Sequence, residues 1–414
     1  MMWPTLTRTA VLVGAAAACL AAAAFGTGCQ GLRLTELPAY GIAPLPSPAG
    51  EGSSAPFLTV AHGRMVLSWV ERDASATNIM FAELLSSGWK DAVTVATEGD
   101  VMVNAADVPS VRAIGGDGLV AAWLQENGDD PEAYDLRLTW SQNAGRTWSA
   151  AVSPHHDGTR TQHGFASLFD VPGGGLGVAW LDGRAMAPGL SVLSGSFSMA
   201  LRTATYGPDG AQQTETLIDH RVCDCCPVST AVTPEGVIVA FRDRSVDEIR
   251  DISVSRLVNG TWSNPMPVHR DGWKISACPV NGPSISAEGE RVAVAWFSVE
   301  AGKGRTLAAF STDAGRSFGS PVRVDETESA GRPQVVLLDD GAAAVSWVEF
   351  TDGHSQLEVR RIDGSGRRSP AAMVAEGMGA QHPRLARAGH DLVVAWVERG
   401  RVVTARAVES RSSN

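Results

Sequence analysis

The stretch Pro333-Gln-Val-Val-Leu-Leu-Asp-Asp-Gly-Ala-Ala-Ala-Val-Ser-Trp347 decides the architecture. A proline opens a short apolar run through Leu338, an Asp/Gly turn follows, and a second apolar run ends on Ser346-Trp347. Proline is tolerated at the first residue of a strand, where its missing N–H is not needed. Two short apolar runs around a Gly-containing turn read as a hairpin.

The same phrase recurs along the chain. A small residue followed by an aromatic stands at Ser68-Trp69, Ala122-Trp123, Ala179-Trp180, Ala240-Phe241, Ala295-Trp296, Ser346-Trp347 and Ala395-Trp396, 49 to 61 residues apart. Thirteen or fourteen residues upstream lie Pro56, Pro109, Pro227, Pro283, Pro333 and Pro383, with Ala166 in that place in the third repeat. Repeats of roughly 50 residues holding about four short strands match propeller blades. The apolar runs alternate or are continuous over few residues without a 3.6 period, which excludes a helical solenoid. The expectation is an all-β propeller over residues 53–410, with seven blades of four antiparallel strands. Six blades is the alternative if one repeat is distorted. The seventh repeat supplies only three strands, ending at Val403 to Val408, so its edge needs a cover. Leu32 to Leu37 is read as the strand that closes the ring.

Two repeats carry a further motif, Ser141-Gln-Asn143-Ala-Gly145-Arg-Thr147-Trp148 and Ser311-Thr-Asp313-Ala-Gly315-Arg-Ser317-Phe318. Degenerate versions are Ser86-Ser-Gly88-Trp89 and Asn259-Gly260-Thr261-Trp262. An Asp or Asn side chain can accept backbone N–H groups across a tight turn, and Gly supplies positive φ. With these motifs the chain resembles the sialidase-like (BNR/Asp-box) superfamily over residues 53 to 408. The resemblance implies a propeller, and implies a glycosidase with an arginine triad for a substrate carboxylate, a Tyr–Glu nucleophile pair and an Asp acid/base. Arg242, Arg332 and Arg384 are the candidate arginines and Asp107 the candidate carboxyl. The chain departs from that pattern twice. Ala55-Pro56-Phe57 stands where the first-blade arginine motif would be, and none of Tyr40, Tyr134 or Tyr206 falls on a late-blade inner strand.

The amino terminus reads as a processing segment. Arg8 precedes an Ala-rich apolar run, Ala10 to Phe25, that ends in Gly26-Thr27-Gly28-Cys29. Small residues before a cysteine resemble a bacterial lipobox, so residues 1–28 are read as a lipoprotein-type signal peptide and Cys29 as the acylated residue. Residues 29–52 are a Pro/Gly/Ser-rich tether that includes any ring-closing strand. The expected location is the periplasm or outer membrane, with membrane contact through the lipid alone; a soluble secreted protein is the alternative. The 414 residues are 44% hydrophobic and 19% charged, with a net charge of −11 and no long basic cluster, which argues against a nucleic-acid partner.

Inner strands of a propeller start at one mouth of its channel, so residues just before the phased prolines should converge. These are Asp107, His163, Cys225 with Cys226, Asn281, Arg332 and His382, with Cys278 slightly upstream of Pro283. Blade-entry loops also carry His155-His156-Asp157-Gly158, Asp219-His220-Arg221 and His269-Arg270-Asp271-Gly272. The segment Cys223-Asp224-Cys225-Cys226 with Cys278 has two readings. It forms either a soft-metal site for copper or zinc, or two disulfides, with Cys225 and Cys226 bonded to different partners. Ligand contacts are assigned to His163, Asn281, Arg332 and His382. Three functions stay open: a module binding a small molecule, glycan or metal at this mouth; an exo-glycosidase acting on acidic glycans; and an assembly lipoprotein docking a protein partner.

Overall fold

A computed structural model describes residues 37–410 apart from 73–75, 105, 172–173, 187–197 and 378–380. The segment read as a signal peptide, and Cys29, lie outside the described residues. Seven antiparallel sheets follow one another along the chain. Blade 1 opens with Ser53–Ala61, blade 3 with His163–Asp170, blade 4 with Ser229–Thr233, blade 5 with Ser284–Glu288, blade 6 with Glu328–Leu337 and blade 7 with Gln381–Ala388. Blade 2 opens with Ser110–Ala113, and its outer edge is reduced to a bridge between Leu138 and Val152. The ring therefore has seven blades, as the repeat spacing indicates.

Each phased aromatic lies within the second strand of its blade. Trp69, Trp180, Trp296 and Trp347 are completely buried, and Phe241 equally so. Burying one indole removes about 150–250 Å² from water, a gross gain of roughly 4–6 kcal/mol. The core is not one mass. Seven apolar clusters each join two neighbouring blades, and one of them joins Val393 and Ala395 of blade 7 to Leu67 and Trp69 of blade 1. That last cluster closes the circle.

The carboxylate two residues after an aromatic has a defined task. It shares the strand face of the indole and accepts its N–H: Glu71 from Trp69 at 2.8 Å, Asp182 from Trp180 at 2.9 Å and Glu349 from Trp347 at 2.7 Å. In blade 5 the acceptor comes from a loop instead, Asp271 receiving Trp296 at 2.7 Å.

Tyr40–Leu45 pairs antiparallel with Arg401–Glu409 and supplies the fourth strand of blade 7. The closing strand therefore lies beyond Leu32 to Leu37, whose first five residues are outside the described part. The two quoted turns hold themselves: Ser141 Oγ accepts the Gly145 N–H at 2.9 Å and Asn143 Oδ1 that of Thr147 at 2.9 Å. Ser311 and Asp313 do the same for Gly315 and Ser317, each at 3.0 Å. The following aromatic reaches the preceding blade. Trp148 meets Phe81 edge-on at 6.0 Å, and Trp262 meets Phe169 at 6.5 Å.

Candidate functional site

The inner strands of blades 1, 3 and 6 change register where the phased proline or its replacement sits. At each break a non-glycine residue takes positive φ: Ala55 at 54°, Phe165 at 56° and Arg332 at 58°. Blade 7 breaks between Gln381 and Arg384. An extra residue in a strand re-aims a side chain out of the sheet. Here the bulges turn residues into one narrow cavity of about 90 Å³. Asp107, Asn281, Arg332 and Arg384 line it together with Phe57 and Phe165. Below, a wider channel of about 420 Å³ runs between the inner strands, lined by hydroxyl, amide and arginine groups such as Ser167, Thr230, Gln334 and Arg387.

Asp107, Asn281 and Arg384 at the mouth each meet the backbone of a neighbouring blade. Asp107 is buried; its Oδ2 accepts the N–H of Phe165 from blade 3, while its own N–H reaches Asn104 Oδ1 at 2.7 Å. A Cβ at Gly164 would collide with that carboxylate, so glycine is required there. Burial pushes the Asp107 carboxyl up to about 7, against the lowering effect of the Phe165 bond and of Arg384. Asn281 Oδ1 accepts the Arg332 N–H at 2.8 Å and so holds the left-handed backbone of that residue. Arg384 lies over the Phe57 ring at 4.6 Å. Burial first and the Arg332 charge second bring its guanidinium down to about 10, against the raising effect of Asp107. Burial lowers Arg332 as well.

Other expected members are elsewhere. Arg242 is consumed structurally, donating to the carbonyls of Asn281 at 2.9 Å, Arg250 at 2.6 Å and Phe297 at 2.7 Å, with Trp273 below it. It supports the mouth through Asn281 but does not line it. Nearby, Arg244 pairs with Asp224 and Arg250 with Glu248, and both arginines are buried like Arg242. His163 is fully buried behind the mouth, where Phe165 takes the expected place. The side chain of His382 lies outside the described residues. The entry-loop histidines do not converge as a group: His155 stacks on His163, whereas His156, His220 and His269 are exposed. Tyr40, Tyr134 and Tyr206 are all buried in blades, so no tyrosine lines the mouth.

The sulfurs pair as Cys223–Cys226 and Cys225–Cys278, so the adjacent cysteines do take different partners. A sulfur in a disulfide has no thiolate for a metal. The copper or zinc reading of this cluster therefore gives way to two staples, the second joining the segments that enter blades 4 and 5.

No family model matches the chain, and no curated protein matches it. Among solved structures it is similar to an ulvan lyase, a polysaccharide lyase bound to a GlcA(1-4)-rhamnose 3-sulfate unit, at 10% identity over 90% of this chain and 96% of that one, with a TM-score of 0.57. A Hadza microbial sialidase matches at 15% identity and TM-score 0.43 over 71% of this chain, which spans 63% of that protein's length. The NanB sialidase from Streptococcus pneumoniae matches at 8% identity and TM-score 0.45, over 84% of this chain and 83% of that one. The first likeness is one of fold: the chain is a seven-bladed β-propeller.

Proposed function

We propose that the protein is an extracytoplasmic propeller that binds the anionic group of a small molecule or glycan at its mouth. Arg332 and Arg384 are the recognition residues, Asn281 holds Arg332 in place, and Asp107 borders the bound group. One observation carries this reading: two guanidiniums from adjacent blades share one desolvated cavity, where burial disfavours both charges and Arg332 adds to the cost at Arg384. A carboxylate or sulfate relieves that cost and offers the planar acceptors guanidinium favours. The two left-handed, bulged residues beside it, Phe165 and Arg332, cost of the order of 1–3 kcal/mol each, a strain that clusters at functional sites. Lipid attachment at Cys29 belongs to the same proposal, and the paired cysteines suit an oxidising compartment. The test is binding of the intact protein to a panel of acidic and matched neutral sugars. Retention of acidic members only, weakened by salt, is expected; equal retention of neutral ones contradicts it.

A second reading, a hydrolase of acidic glycans, has one observation in its favour. The Asp107 carboxyl near pH 7 is in the range of a general acid. Release of a fluorophore from an acidic glycoside, abolished by Asp107→Asn, would select it; inactivity across acidic glycosides leaves binding alone.

A further inference from the structure

The loop that enters blade 5 is not held as the rest of the propeller is. From Ser276 to Pro283 no residue makes a backbone–backbone hydrogen bond among the described residues. Val280 in its middle is β-branched yet takes φ 51°, a conformation costing of the order of 1–3 kcal/mol. Three ties keep the loop in place. Arg242 donates to the Asn281 carbonyl at 2.9 Å, and Gly282 lies so close to the Pro227 carbonyl that a Cβ would collide with it. The third tie is covalent, the bond from Cys278 to Cys225 across 53 residues of sequence.

This loop also places an arginine of the mouth. Val280, Asn281 and Gly282 line the cavity, as do Pro227 and Val228 just past Cys225. Asn281 Oδ1 accepts the Arg332 N–H at 2.8 Å, so a shift of the loop is passed to the left-handed backbone of Arg332.

The two disulfides are not equally reachable. Cys223 and Cys226 are buried, and Arg250 donates to the Cys223 sulfur at 3.4 Å. Cys225 and Cys278 are half-buried. Thiol–disulfide exchange requires a thiolate to reach a sulfur, so access ranks the pairs and the outer one reacts first.

We propose that the Cys225–Cys278 disulfide is a redox latch controlling whether the mouth holds its anion, an inference that rests on the anion-binding reading. The reductant is a dithiol. One of its thiolates attacks a sulfur of the pair, breaking the S–S bond and forming a mixed disulfide, and its second thiol then displaces the protein sulfur. Two electrons and two protons pass to the protein, leaving thiols at Cys225 and Cys278 and a disulfide on the reductant. The freed loop relaxes its Val280 backbone, and Asn281 withdraws from the Arg332 N–H. The mouth thereby loses one of its two placed guanidiniums. Opening a segment without backbone hydrogen bonds is a local event, far cheaper than unfolding the blade. The buried Cys223–Cys226 pair stays closed throughout, and exchange with an oxidised dithiol resets the latch.

The test exposes the full oxidised chain to rising dithiothreitol, a small dithiol, and traps free thiols by alkylation for peptide mass spectrometry. Cys225 and Cys278 should be trapped at least about tenfold faster than Cys223 and Cys226. In the half-reduced chain the Arg332 amide should exchange with deuterium at least about tenfold faster. Affinity for the tightest-bound of glucuronic, galacturonic and sialic acids should fall by a similar factor, and reoxidation should restore both readouts. A folded Cys225→Ser/Cys278→Ser chain should match the half-reduced one; if it does not fold, reduced wild type supplies the same readouts. Reduction of both pairs at one rate, or unchanged exchange at Arg332 after selective reduction, overturns the latch. Unchanged affinity after selective reduction overturns it too and leaves the anion site standing. An oxidised chain that binds none of the three acids contradicts the anion site instead, and exchange at Arg332 then decides the latch.

Discussion

Asp107, on the segment entering blade 2, accepts a hydrogen bond from the backbone N–H of Phe165, the left-handed residue of blade 3. One carboxylate thereby fixes the bulge that shapes the mouth while standing among its arginines.

That carboxylate should make stability fall as pH rises. Its folded pKa of about 7 lies above the ordinary carboxylate value, so the folded chain retains a proton that the unfolded chain loses. The contribution is full below about pH 4 and lost as pH climbs through about 7. Asp107→Asn, whose amide oxygen can still accept from Phe165, should melt higher than wild type at pH 8 and equally at pH 4.5. Parallel melting curves across this range would rule the account out.

Glu349 accepts from the Trp347 indole at 2.7 Å, the Thr327 hydroxyl at 2.7 Å and the Glu326 N–H at 3.0 Å. Removing it strands the buried Trp347 indole N–H, at about 1–3 kcal/mol, and unties the part-buried Glu326 and Thr327 donors from the blade. Glu349→Ala should lose about 2–4 kcal/mol in denaturant unfolding. Glu398→Ala should lose under about 0.5 kcal/mol, because the Trp396 indole makes no hydrogen bond to it. Equal losses would show that the acid two residues on has no such role.

The two disulfides differ in reach, closing separations of 53 and 3 residues. On loop entropy the Cys225→Ser/Cys278→Ser pair should cost about 4 kcal/mol and the Cys223→Ser/Cys226→Ser pair about 2 kcal/mol. Equilibrium unfolding of the two double variants gives the order directly.

Six residue pairs tie Tyr40–Leu45 to the last strand. A chain starting at residue 37 should melt like the full-length chain, and one starting at residue 46 should melt lower and self-associate through its open edge. Identical melting of the two would remove the closing role.

Blade number and mouth were legible because both follow from phase, and phase survives divergence. The closing strand was not, because Tyr40–Leu45 contains Gly41 and Pro44 and reads as a tether; on an edge strand proline loses little. Arg242, Arg332 and Arg384 look alike in sequence, yet Arg242 ends a second strand and meets three carbonyls that only folding brings together. His163 was expected at the mouth because a one-residue bulge, invisible in the sequence, decides that Phe165 points there instead. Asp157 stands two residues from His155, but Asp135 faces His155 and Asp182 faces His163 from strands remote in sequence, which no local spacing announces.

The most direct test of the mouth is calorimetric titration of the intact protein with acidic monosaccharides and their sulfated counterparts, repeated on Arg384→Ala and Arg332→Ala. Loss of a charge-assisted contact is worth about 1.5–3 kcal/mol, so at least tenfold weaker binding is predicted for each variant. Absence of binding to any carboxylate- or sulfate-bearing sugar, or affinity unchanged by both substitutions, would contradict it.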